Sequence, residues 1–372
     1  MTWPRITFLT AVAVAASIGV LATPVAAQSD SSSWITRNGP APATDAPAGQ
    51  PKKPAEAKIL KSAPAGQVKR LPTLPAQVPG ATTVEKSGSI SRAQAAYELF
   101  EQGKYLSALQ LAQAAAEDGD RQAHTLVGRI HAEGLGVAQN PGLAAKWYER
   151  GAELGDIESM FGLAVLLAEG TGVERDRVAA ARMFDRAAQS GHVLANYNLA
   201  LLFLKGDGKP ENPYRAAAHL RYAAEQGLAA AQYDLGTLYA TGTGVDANAV
   251  DAALWIGRAA AGGLVDARVD YAFLLFRGQG VPVDQKMGVE QFRAAAQQGS
   301  VVAQNRLARC YLHGAGVEQS VAEAAKWHLI AKAGGEADDA LDQVLAKMPR
   351  KDRETAEREA IAWRERALVR TD

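Results

Sequence analysis

Of the 372 residues only one, Cys310, is a cysteine, so the chain has no internal disulfide and its stability must come from packing. Aromatic residues are 6% of the chain although apolar residues are 48%, so alanine and small aliphatics supply the apolar count. That composition disfavours an aromatic-rich β core and suits helices packed closely through small side chains. Net charge is zero, with Lys+Arg 40 against Asp+Glu 40, which excludes a global field for nucleic acid or an acidic surface. Catalytic signatures are missing too. No Gly-x-Ser-x-Gly elbow or His-Glu-x-x-His helix occurs. None of the six histidines sits at metal-ligand spacing from another or beside a cysteine pair. Carboxylates are spread along the chain without a selected pair. The expectation is a protein that is not an enzyme and needs no metal and no cofactor.

What is present begins with a single long apolar run. "ITFLTAVAVAASIGVLA" follows Arg5, and Val25 and Ala27 then occupy small-residue cleavage positions, which predicts a signal peptide over residues 1–27 and export to the periplasm or beyond. The alternative is an uncleaved membrane anchor, because the run is just short of a full span. Residues 28–90 are rich in Pro, Ala, Gly and Lys, and predict a disordered linker. Its small basic excess allows transient contact with an anionic envelope surface, although a plain spacer suffices.

From about residue 91 the chain repeats. The first glycine of a Gly-x-Gly pair falls at Gly134, Gly170, Gly206, Gly242, Gly278 and Gly314, always 36 apart. A closing glycine recurs with the same step at Gly119, Gly155, Gly191, Gly227, Gly263, Gly299 and Gly335. A fixed period of this length marks stacked supersecondary units. In each unit one helical stripe runs up to the Gly-x-Gly, as in Val127, Ile130 and His131, and the first glycine ends that helix in the left-handed conformation. A small apolar plug follows at Val137, Val173, Val245, Val281 and Val317, but Lys209 replaces it in the third copy. Asn140, Asp176, Asn212, Asn248, Asp284 and Ser320 are N-cap types that open a second helix. That helix carries Ala144, Ala180, Ala216, Ala252 and Ala324, then Ala152, Ala188, Ala224, Ala260 and Ala296, where overpacking is expected to be costly. Trp147, Trp255 and Trp327 fall in register with one another, as packing residues. A phosphate loop needs a strand before its glycines, and no strand pattern precedes any copy.

These units resemble Sel1-like repeats, a subfamily of the tetratricopeptide superfamily. "AAAQYDLGTLYATGTGVDANAVDAALWIGRAAAGG" (Ala229 to Gly263) carries the pattern almost throughout, and six copies span about residues 120–335. The resemblance implies an all-α fold: an α/α solenoid, a right-handed superhelix of stacked hairpins. A shorter hairpin over 91–119 begins the stack, and residues 336–372 read as capping helices broken at Pro349, with Ala356, Ala360, Trp363, Ala367 and Leu368 on one stripe. Some members of the family staple each repeat with a disulfide. Cys310 instead takes a stripe position held elsewhere by Ile130 and Leu202, so it is expected as a buried thiol, and the β-lactamase activity of the cysteine-rich branch is not carried over.

By the same resemblance, first-helix side chains line a concave groove that binds another protein or peptide. One row is Thr125, Phe161, Tyr197, Tyr233, Val269 and Asn305. A second is Arg129, Val165, Leu201, Thr237, Phe273 and Arg309. A third, Leu126, Gly162, Asn198, Asp234, Asp270 and Arg306, changes character freely between copies. The binding candidates are Arg129, Phe161, Tyr197, Asn198, Tyr233, Asp234, Asp270, Asn305 and Arg309, with the tyrosines as flat contact area or, alternatively, as filling between repeats. The family's adaptors and periplasmic regulators of membrane sensors imply an interaction scaffold in the bacterial envelope. The alternative is a cell-wall or envelope assembly scaffold.

Overall fold

The computed structural model describes residues 90–369, with the side chains of Leu368 and Val369 outside the description. The expected signal peptide and all but the last residue of the expected linker therefore lie outside the described residues. Within them are sixteen helices and no strand. The opening hairpin is α1 (Arg92–Glu101) and α2 (Tyr105–Glu117). Six pairs of 13-residue helices follow: α3 (Arg121–Glu133) with α4 (Pro141–Glu153), α5 (Ile157–Glu169) with α6 (Arg177–Gln189), α7 (Val193–Lys205) with α8 (Pro213–Glu225), α9 (Ala229–Thr241) with α10 (Ala249–Ala261), α11 (Val265–Arg277) with α12 (Gln285–Gln297), and α13 (Val301–His313) with α14 (Val321–Ala333). The chain ends in α15 (Asp339–Lys347) and α16 (Arg350–Val369). Its contacts divide into two compact units, the first ending at Ala231 and the second opening at Gln232.

In the first unit α3 lies against α4, and both touch α5; one repeat later α5 lies against α6, and α6 against α7. The connection inside each pair is set by backbone chemistry. Gly134 adopts φ 71°, and its N–H returns to the Ile130 carbonyl, closing α3 as a left-handed cap. The Asn140 N–H then donates to the His131 carbonyl at 2.8 Å, while its side-chain oxygen accepts from the Leu143 N–H at 3.0 Å. All six expected N-caps of the second helices accept such bonds. The first helices have caps of their own that the repeat pattern did not reveal, because the residue type varies. Asp120, Asp156 and Ser300 use oxygen, whereas His192 uses its ring: Nδ1 accepts from the Ala195 N–H at 3.0 Å.

Small residues set the distance between helices. Ala144, Ala180 and Ala216 are buried in the first unit, as are Ala152 and Ala224. Ala188 is only half-buried, and its neighbour Ala187 takes the fully buried place. Phe184, Leu199, Leu202 and Leu220 fill the space between. The third copy has its own way of closing its loop: Lys209, standing where other copies place valine, reaches Asp185 at 3.1 Å and lies 5.4 Å from the Phe203 ring centroid.

In the second unit Ile256, Phe276 and Phe292 are the large buried side chains, and Ala252, Ala260, Ala296 and Ala324 keep the expected buried rows. Val281 and Val317 are part-buried plugs against this core. Trp255 and Trp327 are buried as packing residues. Helix α16 packs on α14 through Ala356 and Ala360, and Trp363 meets Trp327 edge to face at 5.6 Å. On the charged side of α16, Glu354 binds Arg350 at 2.7 Å, and Arg358 donates to Thr355 at 2.9 Å. Cys310 is fully buried, and burial pushes its thiol up to about 12. Since the thiolate is the nucleophile, Cys310 is expected to react with an aromatic disulfide reagent only in denaturant. Rapid labelling of the native chain would contradict this placement.

Candidate functional site

First-helix residues supply the candidate rows, and their surroundings differ between the two units. In the first unit Arg129 is exposed. It binds Glu133 at 2.9 Å, and its guanidinium stands 4.9 Å from the Phe100 ring centroid. Phe161, Tyr197 and Asn198 are buried. Phe161 stacks on the His192 ring at 4.4 Å and meets Phe184 at 5.8 Å. The capping bond to His192 Nδ1 and this stack together hold the ring, whose Nε2 faces Glu158 at 3.3 Å. Hydrogen bonding to His192 keeps the Glu158 carboxyl below the ordinary range despite partial desolvation. Thr125 joins the same junction, bonding to Asp156 and Ser159 of the following repeat. Along this row the side chains of successive first helices close on one another at Thr125 and Phe161. Fully buried Asn198 therefore offers no accessible surface to a peptide.

In the second unit Tyr233 is buried, and its hydroxyl donates to Asp270 Oδ2 at 2.6 Å. Asp234 and Asp270 are half-buried. Burial, helped by the charge of Asp266 and opposed by the bond from Tyr233, pushes Asp270 up to about 6. Burial and Asp270 in turn raise the Tyr233 phenol above its usual value.

The sign of the effect on stability follows from linkage. An acid whose folded pKa exceeds its unfolded value near 3.9 is stabilised in the fold by protonation. That contribution is complete below the unfolded value and fades as pH rises through about 6, so at neutral pH the ionised group is a net cost. Asp270→Asn keeps an oxygen for Tyr233 and cannot ionise. It is expected to stabilise the second unit by ~1–2 kcal/mol at neutral pH, with the gain vanishing in acid near the unfolded pKa. Urea unfolding at the two pH values checks both the sign and the pH dependence.

Asn305 and Arg309 come together as the sequence rows suggest, but their partner lies outside the repeats. Both are buried, and both bind Asp338: Asn305 Nδ2 at 2.9 Å and Arg309 Nε at 2.6 Å, each to Oδ2. Asp338 Oδ1 caps α15 by accepting from the Ala340 and Leu341 N–H groups. Burial opposes its ionisation, yet these hydrogen bonds and the Arg309 charge hold Asp338 below the usual carboxylate range. A cavity of about 510 Å³ opens beside this cluster, between α13 and the turn entering α15. Asp338 was missed in the sequence because it falls after the last periodic residue. Its N-cap character before "DALDQ" is visible there, its meeting with Arg309 is not.

Among the described residues no group of three His, Cys, Asp or Glu side chains is placed to hold a metal ion. No described helix is long and apolar enough to cross a membrane.

Paired helices, left-handed glycine caps and an alanine-lined core define an all-α solenoid of helical repeats, a fold typical of protein–protein interaction scaffolds. The Sel1 repeat model matches six consecutive segments, 121–156, 157–192, 193–228, 229–264, 265–300 and 301–336. The chain belongs to the Sel1 repeat family, whose members are generally non-catalytic and bind other proteins. It is similar to a Sel1 repeat protein from Oxalobacter formigenes, with TM-score 0.58 and 27% identity over 65% of this chain and 97% of the other. It is also similar to c5321, a protective antigen of uropathogenic Escherichia coli strains displaying an SLR fold, with TM-score 0.50 and 25% identity over 75% and 69% of the two chains. A search of curated proteins returns no match.

Proposed function

We propose that this chain is a non-catalytic scaffold of the bacterial cell envelope that binds a partner protein or peptide and so regulates a membrane signalling or envelope process. The observation that carries the reading is the contrast between a fixed framework and one changing row. The N-caps recur in all six copies, and the plugs and each alanine row in five of them, whereas the row Leu126, Gly162, Asn198, Asp234, Asp270 and Arg306 changes size, polarity and charge. Stacked repeats of this kind spread stability over many similar junctions; Leu126, Asn198 and Arg306 of the row are buried, so half-buried Asp234 and Asp270 are the places where it can answer to a ligand. Export is supported by the apolar run after Arg5 and the small residues Val25 and Ala27. The half-buried Asp234 and Asp270 and the exposed Arg129 remain the accessible candidates among the residues of the rows.

Two measurements test the reading. Fusion of residues 1–40 to a reporter active only outside the cytoplasm is expected to give activity, and a silent, stable fusion removes the envelope assignment. A photo-crosslinker at Arg129 or Asp234 in the full chain in intact cells is expected to trap one dominant partner. Adducts that are unchanged when the crosslinker is moved to the outer face of α16 would remove the scaffold assignment. Capture of a membrane sensor favours regulation, and capture of a cell-wall synthase favours the assembly alternative.

A further inference from the structure

One helix start in the first unit is held by a nitrogen where its neighbours use oxygen. Asp120 and Asp156 cap α3 and α5 with carboxyl oxygens, which accept a hydrogen bond in either protonation state. His192 caps α7 with Nδ1, which accepts from the Ala195 N–H at 3.0 Å and does so only while it carries no proton. The proton of the neutral ring is therefore on Nε2, which faces Glu158 of α5 at 3.3 Å. The His192 side chain is 10% exposed and stacks on buried Phe161 at 4.4 Å, so it covers that phenyl where two repeats meet. Its main chain is tied as well. Asn196 Nδ2 donates to the His192 carbonyl at 3.0 Å and to the Ala188 carbonyl at 3.2 Å, which leaves Asn196 Oδ1 to accept from His219 Nδ1 of α8 at 2.9 Å.

We propose that His192 is a proton-operated cap: a proton on Nδ1 ends the bond to Ala195 and makes the ring the cationic partner of Glu158, loosening the start of α7 and the cover over Phe161 between the second and third repeats. Three features point this way. Imidazole is the side chain that changes charge between about pH 5 and 8. The start of α7 presents unpaired N–H groups and the positive end of a helix dipole, which suit a bare nitrogen and repel an imidazolium. Hydrogen bonding to His192 keeps the Glu158 carboxyl below the ordinary range, so Glu158 is a carboxylate when the ring takes its proton. The other titratable groups around the ring are engaged. Asp156 of the α5 start holds Thr125 and the Ser159 N–H, and Arg129 of α3, which acts on Glu158, is paired with Glu133. On α6, Asp185 binds Lys209 and Arg186 donates to the Ala152 carbonyl. On α8, Tyr222 donates to the Gly191 carbonyl, and His219 is bound to Asn196 through a proton that it keeps in both charge states. The device needs no partner and is independent of the scaffold reading.

The test is NMR of the full chain from about pH 8 to about pH 5, the range in which imidazole titrates. Nitrogen shifts of the His192 ring report where its protons sit. Amide exchange at Ala195, corrected for the intrinsic pH dependence of exchange, reports the cap. At the alkaline end Nδ1 is expected to be bare and Nε2 protonated. As Nδ1 gains its proton, protection at Ala195 is expected to fall about fivefold or more, the scale of a lost N-cap. His192→Asn supplies a capping oxygen that does not titrate, and is expected to hold that protection level across the range. Glu158→Gln leaves the cap and removes the charge that draws the proton, so Ala195 is expected to stay protected to lower pH. A proton on Nδ1 at the alkaline end overturns the proposal, as does protection at Ala195 that ignores the charge of the ring. The same acid-dependent loss in His192→Asn, or an unmoved loss in Glu158→Gln, also overturns it.

Discussion

Asp338→Ala is expected to destabilise the end of the second unit by ~3–5 kcal/mol, the range seen when one partner of a buried ion pair is removed. Three losses coincide. Arg309 stays buried without its carboxylate, Asn305 loses its acceptor, and α15 loses the side chain that caps its first turn. Asp338→Asn keeps the cap and is expected to fall between the two. Joining Asp338→Ala with Arg309→Met is expected to recover much of the loss, because the stranded charge goes with the arginine. Hydrogen exchange over residues 300–369 is the suitable measurement, since a chain of two units need not unfold in one step. Protection unchanged by Asp338→Ala would show that the cluster is not a stabilising tie. The pH dependence has a definite sign. The folded carboxyl is held low, so its contribution is fully present above the unfolded value near 3.9 and is lost as pH falls through the lower folded value.

Gly280→Ala is expected to be nearly as damaging, at ~2–5 kcal/mol, whereas Gly299→Ala is expected to cost only ~1–2 kcal/mol. Both glycines have positive φ, 72° and 93°, so each substitution carries the left-handed penalty. The difference is space. A Cβ on Gly280 would strike the backbone carbonyl of Ala249 and stand 3.1 Å from the Ala253 Cβ, so α10 would have to move. A Cβ on Gly299 meets nothing within 4 Å. Gly316 stands in the same relation to Gln285, and in the first unit Gly172 and Gly208 do so to Pro141 and Arg177. The second glycine of these pairs is therefore where one repeat seats on the start of the preceding second helix. Denaturant unfolding of the two variants decides the matter, and equal losses would mean that this seat yields easily.

Much of this architecture is legible one residue at a time. The left-handed cap at Gly134, the capping oxygen of Asn140, the buried alanines and the thiol of Cys310 each follow from local rules that repeat with the period. The binding rows are less legible because exposure is a property of neighbours. Phe161 occupies a position that a lone hairpin leaves open, and the His192 ring at the start of the next first helix covers it, while Asn198 is fully buried. Polarity gave no warning, since Asn198 is as buried as the leucine that follows it. Asp338 lies beyond the periodic stretch, so no register linked it to Arg309, and its part in the site emerged only from their contact.

The amino-acid order alone determines the helices, their ends and the unit that repeats, because hydrogen-bond capping, backbone freedom and hydrophobic spacing act within a few residues. Tertiary structure decides which faces stay open, which charges meet, and that the second glycine is a seat between repeats. Those outcomes depend on side chains about 30 positions apart arriving at the same place, and desolvation and steric exclusion act only once they do.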